Sequence, residues 1–287
     1  MKPLIILLAL ALSSLCSANT LPFDQMIIFG DSLSDNGNVY LALGGVSPAP
    51  FPPQYTVGRF TNGPDVTPGT AYQGLWHEQL SAMTGLPVTL PFLAGGSNYA
   101  IGGAETGFGV VDNVPGMGLQ VTAFLTAQPS APSALYVLEG GNNDILDAAL
   151  APSASAADIA AAEQQAILNL AREVAMLSGA GARDFLLFDV GALDTTPEFR
   201  GSPLNGAIAA ASQQFRTDLS EAILALEVAY GVEIAAVDLY GLSGQIQSNP
   251  AAFGLTNATD SARNTGAANP DTYFYWDELH PTMKATV

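Results

Sequence analysis

A serine in a turn and a histidine with an aspartate close by are the residues most suggestive of chemistry in this sequence. Ser32 lies in Phe29-Gly30-Asp31-Ser32-Leu33-Ser34-Asp35-Asn36-Gly37-Asn38, where an apolar run opens into a string of small polar residues. A serine hydroxyl is a weak nucleophile until a neighbouring base takes its proton. The chain holds two histidines, His77 and His280. His77, in Gly74-Leu75-Trp76-His77-Glu78-Gln79-Leu80, falls within a short amphipathic pattern and reads as a surface or packing residue. His280 stands in Trp276-Asp277-Glu278-Leu279-His280-Pro281. Asp277 precedes it by three positions, a spacing that puts carboxylate and imidazole on one face of a helical turn. Asp277 would then hold the ring tautomer while the other nitrogen accepts the Ser32 proton.

Attack on an acyl carbon also needs hydrogen-bond donors aimed at the developing oxyanion. Two segments could supply them. Ser97-Asn98-Tyr99-Ala100-Ile101-Gly102-Gly103-Ala104 carries paired glycines that let backbone amides approach a ligand. Glu139-Gly140-Gly141-Asn142-Asn143-Asp144 follows an apolar run and ends in side-chain amides. Each also reads as an ordinary turn when taken alone.

Taken together and in this order, the four segments resemble the blocks of the GDSL family of serine esterases and lipases, also called SGNH hydrolases. They span residues 26 to 282. The resemblance implies a nucleophile at Ser32, a general base at His280 and its orienter at Asp277. It also implies an oxyanion hole made of the Ser32 amide, an amide of the Gly102-Gly103 pair and the Asn143 side chain. Gly103 is favoured over Gly102 by its offset from Asn98, and Asn143 over Asn142 by the Gly-x-Asn-Asp pattern. Asp31 and Asp144 would be supports that tie loops together. The extension Ser34-Asp35-Asn36-Gly37-Asn38 resembles the bacterial secreted branch, with its lipases, lysophospholipases, haemolysin-like phospholipases and esterases. No cofactor and no metal is implied. The family continues past its His-Pro-Thr into a C-terminal helix, whereas only Pro281 to Val287 follows here.

The elements that must position these residues are legible as apolar runs. Gln25 to Phe29, Ala134 to Leu138, Asp184 to Val190 and Glu233 to Leu239 have strand length and continuous rather than alternating apolar character. That pattern fits parallel strands covered on both faces. Between them, Ile167, Leu170, Val174 and Leu177 recur at helical spacing before Gly179 and Gly181. A second stripe, Phe215, Leu219, Ile223 and Leu226, ends at Gly231. Ala151 to Ala162 reads as a helix start and Gly241 to Pro270 as irregular surface. The rhythm predicts a three-layer α/β/α sandwich with a mostly parallel central sheet; the resemblance to the SGNH hydrolases implies a flavodoxin-like plan.

Composition narrows the function classes. Eight Lys and Arg against 26 Asp and Glu give a net charge of −18, which disfavours a nucleic-acid partner. The first eighteen residues read as a secretory signal peptide: Lys2, an apolar core from Leu4 to Leu12, and small residues at the cleavage site. About nine strongly apolar residues are too few for a membrane span of roughly twenty. The expectation is therefore a single domain over residues 19–287, secreted or periplasmic, without stable membrane insertion. Its only cysteine, Cys16, would leave with the signal. The substrate expected is a small-molecule or lipid ester. An acyltransferase using the same site and a non-catalytic surface binder on this fold are the rival readings. Substrate choice is expected to reside in Pro48–Thr70, Glu105–Gln120 and Gly241–Pro270. Phe51, Phe60, Phe108 and Met117 are candidates for an acyl groove or, equally, for loop anchors.

Overall fold

The computed structural model describes residues 21–45, 55, 58–63, 73–127 and 131–286. The signal-like segment and most of Pro48–Thr70, Phe51 included, lie outside the described residues. In chain order the elements are β1 (Gln25–Gly30), α1 (Asn38–Ala42), α2 (Trp76–Thr84), a hairpin of β2 (Val110–Val111) and β3 (Val114–Pro115), and α3 (Met117–Ala127). They continue with β4 (Ala134–Glu139), α4 (Asn142–Leu150), α5 (Ala156–Gly179), β5 (Asp184–Phe188), α6 (Asn205–Tyr230), β6 (Glu233–Val237) and α7 (Leu239–Ser248). Last come β7 (Asn257–Ser261), the short helix α8 (Ala262–Thr265) and β8 (Tyr273–Tyr275).

β1, β4, β5 and β6 form one sheet in that order, every pairing parallel. On the free edge of β1, residues 97–101 run alongside as an extended segment. Ile28 N–H donates to Ser97 O, Tyr99 N–H to Ile28 O and Ile101 N–H to Gly30 O. The chain thus lays this extended segment on one side of β1 and the later strands of the same sheet, β4, β5 and β6, on the other. This order reversal puts a topological switch point at the carboxyl ends of β1 and β4, the place where open α/β sheets bind ligands.

Alternate strand residues feed two cores. Ile27, Phe29, Tyr136, Leu138, Phe185 and Leu187 pack against α3, α5 and α6 through Phe124, Leu170, Val174, Phe215 and Leu219. Met26, Ile28, Leu135, Val137, Leu186 and Phe188 pack on the other face with Trp76, Leu80 and Leu239. Three layers result, as the apolar runs predict. Burying both faces is why β1, β4 and β5 carry uninterrupted apolar residues. β6 differs from its neighbours: it is the edge strand, and Glu233, Ala235 and Ala236 are exposed.

The predicted strands that began at Asp184 and Glu233 stop two residues early because an aspartate intervenes in each. Asp189 Oδ1 accepts the amides of Leu239 and Tyr240, and Asp238 caps α7 by accepting from Gly241 N–H. α5 is capped by Ser155, just before its first residue, whose hydroxyl and Asp158 form a reciprocal cap. Gly241–Pro270 is not irregular throughout: it holds most of α7 and the whole of β7. The Asp238 cap initiates α7 despite the glycines at 241 and 244.

Candidate active site

The turn after β1 is built on Asp31. Its carbonyl accepts the amides of Ser34 and Asp35, and its Oδ1 accepts Leu33 N–H at 2.9 Å. Gly30 is required just before it, since a Cβ there would sit 2.7 Å from the Glu139 carbonyl. The polar residues that follow Ser32 do more than turn the chain. Asp35, Asn36 and Asn38 are buried and bind the neighbouring extended segment. Asn38 Nδ2 donates to the carbonyls of Asn98 and Ala100. Asn98 Nδ2 donates to Ser34 O at 2.7 Å and to Asn36 Oδ1 at 2.9 Å.

Asp35 shows how the two glycines divide their roles. Its Oδ2 accepts Gly102 N–H at 2.9 Å, and the space a Gly102 side chain would fill is taken by the Phe60 ring. Gly102 is therefore committed to packing. Gly103 adopts φ +83°, a conformation natural to glycine. Among the described residues neither its amide nor that of Ser32 has a hydrogen-bond partner. Asn143, in the first turn of α4, donates through Nδ2 to Ala104 O at 3.0 Å and to Asp31 Oδ2 at 3.2 Å. Asp144 accepts Thr106 N–H at 3.0 Å and Thr106 Oγ1 at 2.7 Å, joining α4 to the segment after Gly103.

From the far end of the sequence, His280 Nε2 stands 2.9 Å from Ser32 Oγ, and Nδ1 stands 2.9 Å from Asp277 Oδ2. A carboxylate can only accept, so Nδ1 carries the proton and Nε2 is left to accept from the serine hydroxyl. The helical turn expected at Asp277–His280 is absent. The residues form a bend closed by Trp276 N–H to His280 O. Asp277 Oδ1 shapes it by accepting the amides of Leu279 and His280 at 2.8 and 2.7 Å. An Asp side chain that captures amides two and three residues ahead makes the same i, i+3 approach without a helix.

Two aromatic residues complete the surroundings of the imidazole. Tyr55 Oη donates to Asp277 Oδ2 at 2.6 Å, and the Phe60 ring stacks on His280 with centroids 5.5 Å apart. Residues 58–63 are held in place by the buried Arg59–Glu78 ion pair and by Thr61 Oγ1 donating to Pro281 O. Of the proposed groove residues, Phe60 thus stands at the site. Met117 is a buried core residue, and Phe108 anchors a loop beneath the Arg172 guanidinium, 4.1 Å from its ring centroid. His77 is fully buried and not a surface residue. Its Nδ1 lies 2.6 Å from Thr89 Oγ1 and its Nε2 3.0 Å from Ser34 O. Burial pushes it down to about 4, so it packs as a neutral ring.

Electrostatics polarise the hydrogen-bonded line. Burial alone would lower His280, but the Asp277 charge and hydrogen bond outweigh it and hold the imidazole above its ordinary value. Burial opposes ionisation of Asp277, yet His280, Tyr55 and the His280 amide keep its carboxyl well below the usual range. Such an arrangement can take a proton from Ser32 and stabilise the imidazolium that forms. Among the described residues no group of three or more His, Cys, Asp or Glu side chains forms a metal-holding cluster. Sequence reasoning missed Tyr55 and Asp35. The run of small polar residues from Ser34 to Asn38 was the available signal for Asp35, and Tyr55 gave none.

The model of the GDSL-like lipase/acylhydrolase family matches residues 26–286. The chain belongs to that family. Membership makes it an enzyme of the serine ester hydrolase class. It is 25% identical to GDSL esterase/lipase 6 of Arabidopsis thaliana, over 93% of this chain and 84% of that protein. It is also 25% identical to the thermolabile hemolysin of Vibrio parahaemolyticus, over 90% of this chain and 60% of the hemolysin. With the phosphatidylcholine-sterol acyltransferase of Aeromonas hydrophila the identity is 29%, over 69% of this chain and 54% of that enzyme. The chain thus spans little more than half the length of these two bacterial relatives.

Proposed function

We propose that the protein cleaves carboxylic esters through an acyl-enzyme on Ser32. The observation that carries this reading is the unbroken line Asp277–His280–Ser32, with 2.9 Å at both contacts of the imidazole. Ser32 Oγ bonds to the acyl carbon while its proton passes to His280 Nε2. The resulting oxyanion is received by the amides of Ser32 and Gly103 and by the Asn143 side chain. Collapse expels the alcohol, which takes the proton from His280. Water, deprotonated by the same nitrogen, then releases the acid and restores Ser32. Asp31 and Asp144 support the loops that carry these donors. The substrate is a small-molecule or lipid ester, and the N-terminal eighteen residues direct export to the periplasm or medium.

The test is hydrolysis of p-nitrophenyl esters from short to long acyl chains by the protein and its Ser32→Ala variant. Turnover that disappears with Ser32 supports the reading, and undiminished turnover in the variant overturns it. A second reading, acyl transfer to an alcohol, is favoured by the likeness to an acyltransferase. Product partition between free acid and a new ester in the presence of added alcohol separates the two.

A further inference from the structure

β1 and β4 pair in register with Gly30 opposite Glu139, and their ends deliver two carboxyl groups into one buried space. Asp31 follows β1, Glu139 ends β4, and each is 1% exposed. Gly30 puts no side chain between them; a Cβ there would lie 3.1 Å from Glu139 Oε2. That oxygen accepts Ser34 Oγ–H at 3.0 Å, and Ser34 Oγ in turn accepts the Trp76 indole N–H at 3.1 Å. Glu139 Oε1 is buried with no partner at ordinary hydrogen-bond length among the described residues. The titratable group that faces Glu139 is the Asp31 carboxyl. Beyond it, Asp31 Oδ1 accepts Leu33 N–H and Oδ2 accepts Asn143 Nδ2.

Two carboxylates in a space closed to water cannot both be charged. Burial, and then the Asp31 charge, hold Glu139 well above the carboxylate range. Burial lifts Asp31 less, to about 6, because Leu33 N–H and the His280 charge favour its ionised form. Asp31, which accepts a donor on each oxygen, is the one left charged, and Glu139, with an unpartnered oxygen, is the one that keeps the proton. An Asp31 carboxylate left to itself beside Ser32 would act against the reaction in two ways. It would repel an oxyanion forming on the acyl group, and it would compete for the Asn143 amide.

We propose that Glu139 is a positioning residue for the oxyanion hole: its carboxylic acid draws the Asp31 charge away from Ser32 and so sets how firmly Asp31 holds the Asn143 amide. The proposal rests on the ester-hydrolase reading of Ser32 and Asn143. It deepens that reading by assigning a residue from outside the hydrogen-bonded line.

The experiment compares Glu139→Gln, which keeps a neutral donor of the same shape, with Glu139→Leu, which removes it. The readouts are kcat and KM on p-nitrophenyl butyrate and inhibition by an alkylboronic acid, whose serine adduct is a tetrahedral anion. Circular dichroism checks the fold. Glu139→Gln is expected to stay within about twofold of the parent in kcat. Loss of an oxyanion donor outright costs about 10²–10³-fold, so loss of its support in Glu139→Leu is expected to cost about tenfold in kcat. KM should stay within about twofold, and the boronate inhibition constant should rise by the same factor as kcat falls. A folded Glu139→Leu protein with parental kcat and boronate affinity overturns the proposal. So does a Glu139→Gln protein as impaired as Glu139→Leu, or an effect confined to KM. Glu139→Met, with a more flexible apolar chain, carries the test if Glu139→Leu does not fold. If neither apolar variant folds, Glu139 serves stability alone and the proposal falls. Ester turnover that survives Ser32→Ala would instead overturn the reading of the nucleophile.

Discussion

At the scale of single residues, the activation of Ser32 depends on how Asp277 is held. Four hydrogen bonds converge on its two oxygens, from Tyr55 Oη, His280 Nδ1 and the amides of Leu279 and His280. Removing the charge alone, in Asp277→Asn, leaves the volume but presents the wrong partner to Nδ1. The expected loss in kcat is about 10³–10⁴-fold, measured on a short-chain ester with KM little changed. His280 must be neutral to act as a base, and its folded-state pKa lies above the ordinary value of about 6.5. The acid limb of kcat/KM is therefore expected above pH ~6.5, with activity falling as pH drops through it. Tyr55→Phe removes one donor and concentrates charge on Oδ2, so the limb should move to higher pH. A limb that stays in place in Tyr55→Phe would show that the tyrosine does not tune the imidazole.

At the scale of elements, the site is an assembly of strand ends. β1 brings Ser32, the segment beside it brings Gly103, and β4 with α4 brings Asn143. The glycines at these ends are required for different reasons. Gly30→Ala forces a methyl against the Glu139 carbonyl; overpacking of this kind costs about 1–3 kcal/mol, readable as a lowered thermal midpoint. Gly103→Ala has room, the nearest atom being Val114 Cγ2 at 3.6 Å, but carries φ +83°. It is expected to cost about 1–3 kcal/mol or to relax the backbone, and relaxation turns the amide away and lowers kcat.

The strands were legible because burial on both faces leaves an apolar run that no amphipathic surface helix would show. Ser32, His280 and Asp277 were legible as residue types at motif spacing. Their backbone was not: Asp-x-x-His serves a helical turn and a side-chain-closed bend equally well. Tyr55 and Glu139 were invisible for another reason. Each acts through a contact with a residue more than a hundred positions away, or across a strand register that no local pattern encodes. The exposed face of β6 was hidden because alanine suits a covered and an open position alike.

At the scale of the whole molecule, the net charge of −18 is accompanied by acidic groups drawn inside. Glu139 and Glu173 are pushed well above the carboxylate range, chiefly by burial, and Asp31 and Asp189 are raised to about 6 and about 7. An acid whose pKa is higher in the folded state binds its proton more tightly there. Its stabilising contribution is full below the unfolded value of about 4 and is lost as pH rises through the folded one. Asp277 works in the opposite sense: its contribution is present above about 4 and disappears on acidification. Stability should accordingly peak in mildly acidic solution and decline between pH ~5 and ~8. Thermal unfolding at those two values checks this, and an equal or higher midpoint at pH 8 would contradict it.

The central claim is that His280 activates Ser32 in the folded protein, and labelling with a fluorophosphonate followed by peptide mass spectrometry tests it most directly. One adduct per molecule is expected, on the peptide that contains Ser32. It should be lost in His280→Ala and after thermal unfolding. Labelling on other serines, or labelling of Ser32 that persists without His280, would contradict the account.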